Sequence, residues 1–233
     1  MYKEKTFLAV IPARGGSKGI PRKNIFTVNN KPLIQYTIDE ALSSRYLDEV
    51  IVSTDDLEIA KISRDLGAGV PYLRPAELAN DQSKTIDAII HIIEEQKKRG
   101  KVYDYVVVLQ PTQPLRKFWH IDEAIQKIIN SHQSSLVSIS LVKEHPILFR
   151  TLNEDGLVNN LLNVNSTVRR QEFNAYYKVN GAIYINKIDA NFNHHTSLND
   201  NKLGYIMDTK FDLDIDTYSD LERFKLIQKG IIN

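Results

Sequence analysis

The chain has 233 residues, 42% of them hydrophobic, enough for one large domain with a proper core. Its formal charge of +1 argues against a dedicated nucleic-acid binder, which usually carries a strong basic excess. It has no cysteine, which excludes disulfides, thiolate metal sites and cysteine nucleophiles and agrees with a cytoplasmic location.

The first element is "TFLAVI" (6–11), a short β-branched run that reads as a buried strand. It is too short for a signal peptide and meets Pro12 and Arg14 at once. No run approaches the roughly 20 apolar residues of a membrane helix, so no membrane partner is expected. Ile34, Ile38, Ala41 and Leu42 then share one helical face. "EVIVST" (49–54) is a second strand, with Asp55 and Asp56 placed to touch ligand or to cap the next helix. A helix carries Ile86, Ile89, Ile90 and Ile93, followed by the strand "YVVVLQ" (105–110). The face Ile121, Ala124, Ile125, Ile128 and Ile129 marks another helix, with Trp119 packed at its start, before the strand "SLVSISL" (135–141). This alternation predicts an α/β fold: a mostly parallel sheet flanked by helices.

The rhythm breaks over 143–180, a polar segment holding Arg169 and Arg170. It reads either as an excursion from the sheet domain or as a long surface loop. "GAIYIN" (181–186) and "LGYIM" (203–207) are strands again. The chain closes on a helix opened by a Thr217–Asp220 capping box, with Leu221, Phe224 and Ile227 on its apolar face and Gly230 as a stop.

Three constellations carry chemistry. "ARGGSKGIPRKN" (13–24) leaves the carboxyl end of the first strand, where open α/β sheets bind ligands. Gly15, Gly16 and Gly19 can take positive φ and let backbone N–H groups form an anion nest, while Arg14, Lys18, Arg22 and Lys23 add charge. The combination suits a polyphosphate. It matches neither the dinucleotide-binding nor the P-loop pattern, and the alternative is a basic surface loop. In "DLDID" (212–216), Asp214 and Asp216 alternate, so an extended segment puts both carboxylates on one side. That arrangement suits Mg²⁺; the alternative for Asp216 is compensation of the following helix. In "LQPTQPLR" (109–116), two prolines stiffen a strand exit and fix where Gln110, Thr112 and Arg116 project, or the segment is an ordinary strand exit.

These pieces resemble the bacterial CMP-nonulosonic acid synthetases, the acylneuraminate cytidylyltransferases. The matching stretches are "IPARGGSKGIPRKN", "VIVSTDD", "LRPAELA", "LQPTQPLR", "RRQEFNAYYKVNGAIYIN" and "DLDIDT", spanning residues 11 to 217. The resemblance implies a Rossmann-like nucleotidyltransferase fold across 1–233 and a homodimer. Segment 143–180 would then be a dimerisation extension that reaches the partner's sugar site. It implies transfer of CMP from CTP to the anomeric hydroxyl of a nonulosonic acid of the N-acetylneuraminic or legionaminic type, with release of pyrophosphate. Arg14, Gly15, Ser17, Lys18, Lys23, Asn24, Arg74 and Gln110 would bind CTP. Lys18 would stabilise charge on the transferring group, with Arg14, Asp214 and Asp216 joining the catalytic set. Gln110, Arg170 and Tyr184 would line the sugar pocket, Arg170 facing the substrate carboxylate. Asp214 and Asp216 would hold Mg²⁺.

Departures bear on the sugar. Sialic-acid-specific relatives often carry an aromatic pair where this chain has Ser197 and Leu198. Legionaminic-acid synthetases share the "GGSKGIPRKN", "LRPAEL" and "DIDT" pattern. Pseudaminic-acid relatives usually have a basic residue at the Gly19 position, and Kdo cytidylyltransferases usually lack the lysine at 18. Two other readings are a metal-dependent glycosyltransferase, on the D-x-D of Asp214 and Asp216, and a non-catalytic nucleotide-binding protein. No histidine is assigned a metal: His91 and His132 lie in or near helices, His145 shapes a turn before Pro146, and His194–His195 either contact sugar or are solvated.

Overall fold

A computed structural model describes residues 1–17, 19–162 and 174–232. The main sheet has six strands: β1 (Phe7–Pro12), β4 (Glu49–Ser53), β5 (Tyr105–Val108), β6 (Ser135–Leu141), β9 (Tyr177–Lys187) and β10 (Leu203–Met207). Between them lie two short pairs, β2 (Thr27–Val28) with β3 (Lys31–Pro32) and β7 (Arg150–Leu152) with β8 (Val158–Asn160). The helices are α1 (Leu33–Leu42), α2 (Leu57–Asp65), α3 (Thr85–Lys98), α4 (Phe118–Asn130) and α5 (Tyr218–Gln228).

The sheet order is β10-β6-β9-β5-β1-β4. β1 runs parallel to β4 and β5, and β10 parallel to β6. β9 is antiparallel to both β5 and β6. The mostly parallel expectation therefore holds, with one inverted strand inside the sheet.

β1 explains why the sheet is covered on both faces. Phe7, Ala9 and Ile11 point into one cluster with Ile34 and Ile38 of α1 and Ile121 and Ile125 of α4. Leu8 and Val10 point into a second cluster with Ile89 and Ile92 of α3. Period-2 alternation with both sides apolar leaves no polar edge in the sequence, hence the continuous run.

A third cluster underlies the site. Ile20, Val28, Leu115, Leu213 and Ile215 pack with Leu221 and Phe224 of α5. Three segments distant in sequence, 13–24, 109–116 and 212–216, thus share one apolar floor. The capping box that opens α5 is formed: Thr217 Oγ1 accepts the Asp220 N–H at 3.3 Å, and Asp220 accepts the Thr217 N–H at 2.8 Å.

Segment 143–180 leaves the sheet after β6 and contains the β7–β8 hairpin. β9 begins within it, at Tyr177, which pairs with Leu141. His145 accepts the Ile147 N–H at 3.2 Å, capping a helical turn at Pro146–Leu148. Trp119 lies in the first turn of α4, edge-on to Phe211. Among the described residues, no helix is long and apolar enough to cross a membrane.

Candidate active site

The loop after β1 is held by acidic side chains at the end of β4. The Ala13 N–H donates to the Ser53 carbonyl and the Gly15 N–H to Asp55 Oδ1, both at 2.9 Å. Asp56 caps α2 through the N–H groups of Glu58 and Ile59. It also accepts from Arg22 at 3.0 and 3.1 Å, while Arg22 reaches Glu58 at 2.8 Å. The Arg22 guanidinium holds the Asp56 carboxyl below its ordinary pKa. Asn24 closes the loop by donating to the Arg14 carbonyl at 3.0 Å.

Three sequence expectations change here. Arg22 is a brace between loop and α2 rather than a cation facing the cavity. The left-handed residue is Arg22, at φ 53°, whereas Gly15 and Gly16 do not lie in that region. The Gly15 N–H serves Asp55 rather than an anion nest, and Gly15 does not line the cavity described below. Glycine is needed for close approach instead. A Cβ at Gly15 would meet Asp56 at 3.0 Å, and one at Gly19 would lie 2.4 Å from the Asp216 carbonyl oxygen.

The "DLDID" segment behaves as its alternation requires. Leu213 and Ile215 are buried in the third cluster, and Asp214 and Asp216 point the other way into one cavity. The Ile215 N–H donates to the Thr112 carbonyl at 2.9 Å, fastening this segment to the loop after β5. Asp216 does not cap α5, since Thr217 does. Its carboxylate accepts from Lys23 Nζ at 2.9 Å, and Lys23 also donates to the Ile215 carbonyl at 2.7 Å. Asp214 has a raised pKa: partial withdrawal from water raises it, the Thr112 hydroxyl opposes, and the Asp216 charge adds to the rise.

These segments enclose a cavity of about 580 Å³ at the carboxyl ends of β1 and β5. Of the sequence-predicted residues, Arg14, Ser17, Lys23, Asn24, Arg74, Gln110, Asp214 and Asp216 line it. Arg14 is paired with Asp81 at 3.1 Å and donates to the Asn80 carbonyl at 3.0 Å. Arg74 is buried; its guanidinium donates to the Ser53 hydroxyl at 3.0 Å and the Ser53 carbonyl at 2.6 Å, and burial pushes its pKa down to about 10. Lys18 and Arg170 lie outside the described residues.

Two further cavities adjoin the first. One, of about 420 Å³, is lined by Gln110, Gln113, Lys178, Asn180, Tyr184 and Asp214 among others. The other, of about 480 Å³, has Gln110, Tyr184, Ser197 and Leu198 in its wall. Gln110 borders all three, and Asp214 borders the first two. The Tyr184 hydroxyl donates to Asn199 at 3.0 Å. His194 Nδ1 lies 2.7 Å from the Asp87 carboxylate, tying the 194–200 loop to α3.

Sequence reasoning missed the 80–85 stretch. Asn80, Asp81, Ser83, Lys84 and Thr85 all line the first cavity. Lys84 and Thr85 stand at the start of α3, whose free N–H groups and dipole favour an anion. The available signal was a polar run ending in lysine directly before an amphipathic helix. Arg116, expected to project from the loop, instead points into the protein and donates to the Ala182 carbonyl at 2.8 Å.

A family model described as "Cytidylyltransferase" matches residues 8–230. The chain belongs to the cytidylyltransferase family. It is 34% identical over 215 residues to an N-acylneuraminate cytidylyltransferase of Streptococcus agalactiae, covering 91% of this chain and 51% of that protein. A pseudaminic acid cytidylyltransferase of Campylobacter jejuni is 34% identical over 229 residues, 95% and 96% of the two chains. A CMP-N,N'-diacetyllegionaminic acid synthase of Legionella pneumophila is 40% identical over 182 residues, 76% of each. The chain spans about half the length of the Streptococcus relatives. Among solved structures, a CMP:2-keto-3-deoxy-manno-octonic acid synthetase complexed with CTP aligns with TM-score 0.74 at 18% identity, covering 97% of this chain and 100% of that one. The likeness is one of fold.

Proposed function

We propose that this chain transfers CMP from CTP to the anomeric hydroxyl of a nonulosonic acid, with release of pyrophosphate. The observation that carries the reading is the shared wall: Gln110 and Asp214 border both the cation-lined cavity and its neighbour. A nucleotide in the first cavity and an acid in the second would meet there. The names of the relatives support the same reaction.

The chemistry asks for positioning and charge neutralisation more than covalent help. Arg14, Lys23, Lys84 and the α3 N-terminus would hold the triphosphate, with Lys18 stabilising the transferring phosphoryl group. The acceptor hydroxyl oxygen attacks the α-phosphorus in line and gives its proton to water, the bond to the β-phosphate oxygen breaks, and pyrophosphate leaves with the electron pair. Gln110 and Tyr184 would orient the acid, and Arg170 would pair with its carboxylate.

Asp214 and Asp216 fit Mg²⁺ by donor chemistry: two hard carboxylates on one side of an extended segment, close enough for the Asp216 charge to raise the Asp214 pKa. Among the described residues, no group of three or more His, Asp or Glu forms a full metal cage. Substrate phosphates and water would complete the coordination, as magnesium commonly requires. The ion supplies neutralisation of the charge on the phosphates.

We also place the enzyme in the cytoplasm, as a homodimer whose 143–180 extension reaches the partner's sugar site. Light scattering tests the dimer, and mixing Lys18 and Arg170 variants tests the shared site through recovered activity. The substrate is tested by pyrophosphate release with CTP and N-acetylneuraminic, legionaminic, pseudaminic and Kdo acids. Preference for one of the first two supports the reading, and no release with any overturns it.

A further inference from the structure

Arg116 is 1% exposed and heads the fully buried side chains by size. No carboxylate is paired with it among the described residues. Glu40 acts on it through charge alone, and its carboxylate is engaged by Lys117 Nζ at 2.9 Å and the Phe118 N–H at 2.8 Å. Burial pushes the Arg116 pKa down to about 9. A buried cation without an anion is a costly thing for a fold to carry, so its contacts have to be accounted for.

Its contacts are two backbone carbonyls. One terminal nitrogen, Nη1, donates to Ala182 at 2.8 Å and to Gln110 at 3.3 Å. Among the described residues, Nε and Nη2 have no partner, and neither does the carboxamide of the equally buried Gln113. Both carbonyls lie where the sheet ladder fails. β5 ends at Val108, whose partner is Tyr184, so Ala182 lies beyond the last β5 pair. On the other side the β6–β9 register shifts between Val137 and Ile139. There Asn180 and Ser138 replace the ladder: the Ser138 hydroxyl donates to Asn180 at 2.6 Å and accepts the Ile183 N–H at 2.8 Å.

This irregular stretch of β9 is the seat of Gln110. Gly181 has φ +76°, and a Cβ on it would lie 2.7 Å from Gln110 Oε1. The Gln110 carboxamide therefore rests in the space the missing side chain leaves. Its backbone is tied to the same stretch of β9 through Arg116.

We infer that Arg116 is a positioning residue for Gln110, fastening the loop after β5 to the β9 irregularity so that the Gln110 carboxamide stays on the wall between the nucleotide and acid cavities. This rests on the proposed cytidylyl transfer. Arginine suits the task because one planar head reaches carbonyls of two elements and stays charged at neutral pH. Acid binding depends on it more than CTP binding does, because Gly181, against which the carboxamide rests, lines the second cavity and not the first.

The test is a double-mutant cycle. Arg116→Met should raise the KM for the acid roughly tenfold, the scale of one lost charged hydrogen bond, and leave the equilibrium Kd for CTP within about twofold. Arg116→Lys should recover part of the loss, since an ammonium can still donate to Ala182. Combined with Gln110→Ala, Arg116→Met should add little, because both changes remove the same placed carboxamide. Gly181→Ala, which crowds Gln110 from the other side, should show the same acid-specific and non-additive pattern, and it carries the test if Arg116→Met does not fold. Additive effects, an equal loss of CTP affinity, or an unchanged KM for the acid would overturn the positioning role. If the wild-type chain forms no CMP product with any acid, the proposed function itself fails and the positioning role with it.

Discussion

The Lys23 ammonium lies 2.9 Å from the Asp216 carboxylate, across 193 residues of sequence. It joins the loop after β1 to the segment carrying both candidate metal ligands. Lys23→Gln removes that tie and one cavity cation. The KM for CTP should rise roughly tenfold, the scale of one charged hydrogen bond. Steady-state kinetics at saturating acid checks this; an unchanged KM for CTP would contradict it.

Gly19 makes the same junction by contact rather than charge. A methyl group there would lie 2.4 Å from the Asp216 carbonyl oxygen, so the backbone of one segment must move. Gly19→Ala should keep its far-UV circular dichroism and lose most of its turnover. Wild-type turnover would show that the two segments separate without consequence.

Asp214→Asn keeps the side-chain shape and removes the charge of a proposed metal ligand. Turnover should fall on the order of 100-fold, the scale of removing one preorganised charge-stabilising group. The Mg²⁺ concentration for half-maximal activity should rise. A variant with normal activity and normal Mg²⁺ dependence would leave Asp214 a purely structural residue.

His120 gives a pH prediction for stability. It is buried against Phe211, with ring centroids 4.5 Å apart, and its Nδ1 accepts the Lys117 N–H at 3.0 Å. Burial, opposed by the Glu123 charge, pushes its pKa down from 6.5 to about 4. Between those values the unfolded chain holds a proton that the folded chain refuses. This group's contribution is therefore full above pH 6.5 and declines as the pH falls toward about 4. In His120→Gln the fall in melting temperature across that window should be shallower. A fall as steep as in the wild type would assign it to other groups.

Much of the fold was legible because burial is written locally. "SLVSISL" and "LGYIM" coincide with β6 and β10, and the Thr217–Asp220 pair opens α5 as its spacing requires. The inversion of β9 was not legible, because strand direction depends on pairing partners far away in sequence. Its first residues, Tyr177 to Val179, are exposed and follow a polar segment without a break that marks a strand start. The cavity-lining set was partly legible. Glycines and cations after a buried strand pointed to the right loop, and alternation placed Asp214 and Asp216 together. What failed was the assignment of individual charges: the partners of Arg22 lie 34 and 36 residues on, and the carbonyl Arg116 serves lies 66 residues on. No local pattern distinguishes such a brace from a ligand-facing cation.

On the proposed reaction, the α-phosphorus of CTP passes to an acid held across the Gln110–Asp214 wall. Phosphorus-31 NMR of the chain with CTP, Mg²⁺ and legionaminic or N-acetylneuraminic acid tests it most directly. The triphosphate resonances should give way to pyrophosphate and one phosphodiester resonance of a CMP-sugar, the two products in equal molar amounts. Persistence of CTP, or its conversion to CDP and inorganic phosphate with no phosphodiester, would contradict it.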